Sequence, residues 1–212
     1  ALPVGDPYAP WQLFMPFVWG NGGDIMKDNK PLLTSKEFIE AGNFYKSLIP
    51  FSFINRPEQI DQGFVVDEQI GMMISGAWNL RFIPVNNPKL NYGIALVPVP
   101  DNKKENVSAS FAGGEVLVCF KGTANKPLCE KFMDFLIQTE NVMPIIERNR
   151  NVLPSKKNAI NHQFFKEHPA FMMFFKQLAY GHPLPPHSRG EEIERNLTRV
   201  VEEIILNKED VQ

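Results

Sequence analysis

Apolar positions along this chain recur mostly at helical spacing, interrupted by short apolar runs too brief for helices. Phe38, Ala41, Tyr45, Leu48 and Ile49 fall on one helical face. Ahead of them, Thr34-Ser35-Lys36-Glu37 reads as a capping box, the Thr34 hydroxyl accepting from the Glu37 amide, with Pro50 just past the end. A shorter helix is expected over 60–67, and Trp78 opens another. Leu128, Phe132, Phe135 and Leu136 put an amphipathic helix over 127–138, followed by a short one over 142–147. Residues 164–180 are helical in pattern and broken near Pro169. Ile193, Leu197, Val200, Val201, Ile204 and Ile205 make the cleanest 3.6-residue stripe, in a last helix before Val211-Gln212. Strands are predicted at 70–75, 92–98 and, most strongly, 115–120. Residues 1–30 read as a turn-rich aromatic stretch, with Pro3, Pro7, Pro10 and Pro16 spacing out Trp11, Phe14, Phe17 and Trp19. Gly20-Asn21-Gly22-Gly23 after them permits positive φ or close approach of a backbone or ligand. Residues 101–107 read as a polar, exposed connection. The class is α/β or α+β with helix dominant.

Composition narrows the function more than the fold. The 212 residues are 43% hydrophobic and 22% charged, which excludes intrinsic disorder. Twenty-two Lys and Arg against 24 Asp and Glu leave a net charge of -2, too weak a field to hold nucleic acid or an anionic membrane by charge alone. No apolar run is long enough to span a bilayer. The start, Ala1-Leu2-Pro3-Val4, has no basic region before an apolar core and does not read as a signal peptide, so either a mature chain starts here or a longer protein was cut. Cys119 and Cys129 lie ten positions apart without metal-ligand spacing; they read as buried thiols, a disulfide being the open alternative.

Catalytic signals are weak. His162, His168, His182 and His187 form no ligand spacing, so neither a metal nor a cofactor is expected. There is no Gly-x-Ser-x-Gly elbow, and the glycine run lacks the Lys-Ser/Thr of a phosphate loop. Glu191-Glu192 sits on a first helical turn, where the helix dipole favours carboxylates. The stronger signal is indole beside glycine. Trp19 precedes Gly20, and Trp78 follows Gly76-Ala77 at the carboxyl end of a predicted strand, the edge at which open α/β sheets bind ligands. Sugar rings stack on indole through their C–H faces, and Asn21, Asp24, Asn79 and Glu115 are candidates to meet their hydroxyls.

Seven segments in order resemble extracellular solute-binding proteins of family 1, the receptors of sugar ABC importers. Trp19-Gly20-Asn21-Gly22-Gly23-Asp24-Ile25 is similar to W-x-N-G-G-x-I, and 38–49 to A-x-x-F-Y-x-x-L. Residues 62–78, with Phe64, Met72, Met73, Ile74, Gly76 and Trp78, resemble F-x-x-G-x-x-A-M-x-x-x-G-x-W. Tyr92-Gly93-Ile94 through Pro98 and Pro100 resemble Y-G-V-x-x-x-P, and Gly113-Gly114-Glu115 resembles the start of G-G-x-x-L-x-V. Residues 131–136 resemble K-F-x-x-F-L, and Leu153-Pro154 the late L-P. The resemblance implies an α/β, helix-dominant C-terminal lobe of a type II periplasmic-binding-protein-like fold with a small mixed sheet, filling 1–212. It implies an extracytoplasmic, non-catalytic receptor that closes two lobes on a sugar and delivers it to ABC permease subunits. Membrane association would come only through the permease or a lipid anchor outside this chain. It places Trp78 as the stacking platform, Trp19 and Asn21 near the cleft, Gly113, Gly114 and Glu115 at the cleft-side crossover, and Gln12 and Phe14 in a loop that reaches the ligand. Glu191 and Glu192 stand near where many members carry another cleft tryptophan, and Gly71-Met72 where many carry Ala-Met after a basic residue. It also implies that 116–153 packs mostly with an N-terminal lobe outside this chain. Two rivals are a glycoside hydrolase pairing Glu115 with Glu191 or Glu192, and a sensor or interaction domain without ligand.

Overall fold

The computed structural model describes residues 1–102 and 108–206. The rest of the expected polar connection, and the chain end at Val211-Gln212, lie outside the described residues.

The largest departure from the sequence reading comes first along the chain. After a short strand β1 (Leu2–Pro3), the turn-rich stretch is a helix, α1 (Ala9–Gly20). Asp6 starts it, its Oδ1 accepting from the Tyr8 and Ala9 amides at 2.8 and 2.7 Å. Pro10 sits in the first turn, where an amide proton has no helical acceptor anyway. Pro16 is interior and removes one hydrogen bond, a cost of about 3 kcal/mol in an exposed helix. Burial offsets it, because Trp11, Phe14, Met15, Val18 and Trp19 are all removed from water. The glycine run then turns the chain: Gly22 has φ +88°, and a Cβ on Gly23 would lie 2.9 Å from Val18 Cγ1 and 3.0 Å from Glu37 Cβ.

A two-stranded antiparallel ribbon, β2 (Met26–Lys27) with β3 (Lys30–Pro31), leads to α2 (Lys36–Ser47). Its cap is one residue later than expected: Ser35 Oγ accepts from the Phe38 amide at 3.3 Å. Strand β4 (Ile54–Asn55) pairs in parallel with β1, and α3 (Pro57–Val65) and α4 (Asn79–Asn86) follow. Beyond strand β5 (Ser110–Phe111) come α5 (Lys126–Leu136), α6 (Thr139–Asn149), α7 (Gln163–Glu167) and α8 (Ala170–Leu178), the last two divided at Pro169 as expected. Strand β6 (Gly181–His182) pairs in parallel with β5, and α9 (Gly190–Leu206) closes the described chain.

Two cores result. In the first, α1 packs on α2, α9, β1 and β5. Phe14 meets Phe38 and Tyr45 edge-on at 5.5 and 5.2 Å, and Trp11 meets Phe111 edge-on at 5.0 Å. Leu197, Val201 and Ile205, from the stripe of the last helix, fill its other side. Burial in this core pushes the Tyr45 phenol above its ordinary range. The second core gathers Met143, Ile146, Phe164, Phe165 and Phe171 beneath Leu80. Gln177 helps join the two regions, its Oε1 accepting from the Val97 amide and the Ser108 hydroxyl, both at 2.9 Å.

The expected strands at 70–75, 92–98 and 115–120 form no ladder among the described residues; the sheet content is three separate two-stranded pairs, two parallel and one antiparallel. Segment 115–120 instead lies open, with Val116 and Phe120 each 80% exposed. The apolar stripe of α5 is exposed with it: Leu128, Phe132 and Phe135 face solvent, and no residue of α5 is buried. The periodicity located this helix correctly, but its main packing is along α6.

Removing one α1 side chain should therefore cost far more than removing an exposed ring of equal size. Phe14→Ala is expected to lower the unfolding free energy by about 3–5 kcal/mol. Phe51→Ala, at a ring 89% exposed, should change it by less than about 0.5 kcal/mol. Urea unfolding of both variants checks this, and equal losses would contradict the packing described.

Candidate functional site

Of the three indoles, Trp19 and Trp78 were the ligand candidates, and the tertiary structure separates all three. Trp11 is in the first core. Trp19 is also buried, its ring stacked on His182 at 4.8 Å and 12°, its Nε1 donating to Asp24 Oδ1 at 3.1 Å. Trp78 alone is presented to solvent, at 50% exposure.

The setting of Trp78 is built by the segment before it. Residues 70–75 form no ladder, with a bend at Gly71, and Trp78 is the N-cap residue of α4. Its ring lies against the backbone at Gly76, where an added Cβ would fall 1.8 Å from Cζ3. Its Nε1 donates to Asp61 Oδ2 at 3.3 Å, from the facing helix α3. The other oxygen of Asp61 accepts from Asn79 Nδ2 at 2.9 Å, and Asn79 also donates to Ser75 Oγ at 2.6 Å. Asn79 was a candidate to meet ligand hydroxyls; instead it is buried, with its amide nitrogen spent on Asp61 and Ser75. Asp61 itself was not anticipated, since nothing in the sequence spacing says that α3 faces Trp78. The result is an indole anchored along its N–H edge and backed by glycine, with ring surface left open to an apolar ligand face.

The other expected site residues divide by location. Asn21 is buried at the end of α1, and its Nδ2 donates to the Glu37 carbonyl and Glu40 Oε2 at 2.9 and 3.0 Å. Its visible work is to join α1 to α2. The expected ligand loop holding Gln12 and Phe14 is the helix α1 instead: Gln12 is half-buried and Phe14 is core, because the aromatic positions of this stretch fall on a helical face. Gly113, Gly114 and Glu115 follow β5 and are exposed. The residue before them, Ala112, donates its amide to the carbonyl of His182 at 3.0 Å, and His182 is the residue stacked on Trp19. His182, the stacking partner of Trp19, was missed because it comes from the far end of the chain.

Glu191 and Glu192 begin α9, beside a hollow of about 550 Å³ lined also by His187, Arg189 and Arg195. Glu191 is 94% exposed and lies 3.8 Å from Arg195. Glu192 is gripped by Arg189 through both carboxylate oxygens, Nε donating to Oε2 at 2.6 Å and Nη2 to Oε1. This bidentate hydrogen bond holds the Glu192 carboxyl below, and the Arg189 guanidinium above, their ordinary ranges. A second hollow of similar size lies between α6 and α7, with the Arg150 guanidinium 5.8 Å from the Phe164 ring centre. Neither hollow includes Trp78. Among the described residues no cluster of His, Cys, Asp and Glu could hold a metal ion, and no helix is long and apolar enough to cross a membrane.

Comparison with known proteins supplies the remaining evidence. Residues 4–173 match the family described as bacterial extracellular solute-binding protein. A maltooligosaccharide ABC transporter solute-binding lipoprotein of Streptococcus pneumoniae is 30% identical over 113 residues, 53% of this chain and 26% of that protein. The sugar-binding protein MalE of Xanthomonas citri superposes with a TM-score of 0.81 at 20% identity, over 99% of this chain and 54% of that one. A solute-binding protein of an ABC transporter from Thermotoga lettingae, bound with α-D-tagatose, gives a TM-score of 0.80 at 19% identity, over 99% and 55%. The fold is thus that of type II periplasmic binding proteins, and the chain spans about half the length of these structures.

The geometry around Trp78 has a direct check. Gly76→Ala should push the indole off its seat and change tryptophan emission and near-ultraviolet circular dichroism, at a stability cost of no more than about 1 kcal/mol. Spectra identical to the parent protein would show that the ring does not rest on Gly76.

Proposed function

The chain belongs to the bacterial extracellular solute-binding proteins, and from that premise we propose that it is the C-terminal lobe of a sugar receptor serving an ABC importer. The ligand is a sugar or oligosaccharide held between two lobes, and the partners are the permease subunits of the importer. The observation that carries this reading is Trp78, half-exposed and clamped by Gly76 and Asp61. A fixed indole loses little freedom when a pyranose C–H face stacks on it, so most of the contact energy is retained. Glu115 stands exposed after the Gly113-Gly114 pair, available to accept from a sugar hydroxyl. The name of the pneumococcal relative supports a maltooligosaccharide-type ligand, and that of the Xanthomonas protein a sugar.

Binding without turnover is part of the proposal. A glycoside hydrolase needs one carboxyl kept protonated near neutral pH, which requires an upward shift. Glu192 is shifted the other way by Arg189, and Glu191 is nearly fully exposed. Neither of the two candidate partners of Glu115 therefore has the environment of a general acid.

The open apolar surface of 115–120 and α5 is the face we assign to the other lobe, within 116–153. Val116, Val118, Leu128, Phe132 and Phe135 are all exposed, more large apolar side chains than a free-standing domain leaves in water over so short a stretch.

Two measurements test these assignments. In the full-length receptor, Trp78→Ala should weaken sugar binding by about 1–3 kcal/mol in calorimetry, the loss expected for an aromatic anchor; unchanged affinity rejects the platform. The 212-residue chain alone should self-associate in light scattering, and a strict monomer that binds no apolar dye would contradict the lobe contact.

A further inference from the structure

Trp78 and Asn79 spend their side-chain donors on one carboxylate and its neighbour. The Trp78 Nε1 donates to Asp61 Oδ2 at 3.3 Å, and the Asn79 Nδ2 donates to Asp61 Oδ1 at 2.9 Å and to Ser75 Oγ at 2.6 Å. An indole has one N–H and a carboxamide nitrogen has two, so none of the three is left for a ligand. The Asn79 Oδ1 is buried without a partner, out of a ligand's reach. Asp61 is half-buried; its bond to the indole lies in an exposed setting, and its bond to Asn79 in a partly buried one. Oδ2 is therefore the outward oxygen, at the rim of the ring. A carboxylate oxygen has two lone pairs, so Oδ2 keeps one beyond its bond to the indole.

We infer that Asp61 is a specificity-determining residue of the Trp78 platform: it accepts from a hydroxyl of a neutral sugar at the rim of the indole and turns away sugars that carry an anionic group there. The inference rests on the receptor reading and narrows its substrate class.

The direction of an indole N–H supports this placement. The N–H lies in the plane of the ring, so an acceptor bonded to it sits beyond the ring's edge and blocks neither face. Gly76 backs the ring. A pyranose stacked on the open face directs its equatorial hydroxyls outward, past that edge. A hydroxyl on the Nε1 side meets Oδ2 and donates to it, in a charge-assisted hydrogen bond of the stronger kind.

Charge supplies the discrimination. Both groups that donate to Asp61 are neutral, and among the described residues it forms no ion pair. Residues 57–80 contain Glu58, Asp61, Asp67 and Glu68 and no Lys, Arg or His. The negative charge at the rim is thus locally uncompensated. An anionic group brought there is repelled, and apart from the Ser75 hydroxyl it finds no side-chain donor in this cluster to replace its water. A sugar hydroxyl brings its own donor.

The test uses the full-length receptor and calorimetry with two ligands, maltotriose and its analogue carrying a carboxylate at C6 of each ring. The parent protein should bind maltotriose at least about tenfold more tightly than the analogue. Asp61→Asn should weaken maltotriose binding by about tenfold, the scale of a lost hydrogen bond to a charged group, and narrow that preference. Asp67→Asn removes the same charge from the exposed turn after α3, and should leave the preference within about twofold because exposed charges at a distance are screened. The preference separates specificity from positioning: if Asp61 only seats the indole, its loss weakens both ligands alike. Near-ultraviolet circular dichroism of Asp61→Asn should show the indole still in its setting. No preference in the parent protein, or a preference that Asp61→Asn leaves unchanged, would overturn the inference. Maltotriose binding that is weakened by Trp78→Ala but not by Asp61→Asn overturns it and leaves the receptor reading standing. Failure of the parent protein to bind maltotriose overturns both.

Discussion

The lobe depends on burying one helix from several sides. Helix α1 is enclosed by α2, α9, β1 and β5, and its aromatic residues supply the first core. Phe14 holds Phe38 and Tyr45 edge-on, while Trp11 holds Phe111 on β5. These contacts join residues from the beginning, middle and end of the chain. They also explain why a helix with an interior proline persists: the hydrogen bond lost at Pro16 is small against the area that the surrounding side chains remove from water.

That enclosure decides which indole remains exposed. Trp11 and Trp19 serve the core and its rim, the latter stacked on His182. Trp78 escapes because α4 starts beneath it and its indole nitrogen is held by Asp61 from α3. The platform is thus rigid through its own neighbours, and its stiffness does not rely on the aromatic core. Polar residues near it are similarly occupied, with the Asn79 amide donating both to Ser75 Oγ and to the Asp61 carboxylate.

The extended segments show a different constraint. Apolar, β-branched runs at 70–75 and 115–120 favour extended backbone, but a strand is completed only by a neighbour that accepts and donates its hydrogen bonds. The same holds for α5, whose stripe is well formed and wholly unburied. On the proposed reading these faces meet the other lobe, and an interface of that kind reads in the sequence as if it were core.

Local periodicity determined much of this protein from the sequence by itself. The stripe of α9, the face of α2, the break at Pro169 and the ordered run of family segments were all legible, because each depends on residues close along the chain. Four prolines masked α1, since its stability comes from residues that reach it only in the folded lobe. The cap of α2 shifted from Thr34 to Ser35, a choice made by which hydroxyl meets the Phe38 amide. Tertiary structure alone decided that Asn21 joins two helices and that Asp61 seats Trp78. Each of these is a matter of direction in space, and spacing along a chain carries periodicity but not the orientation of one element toward another.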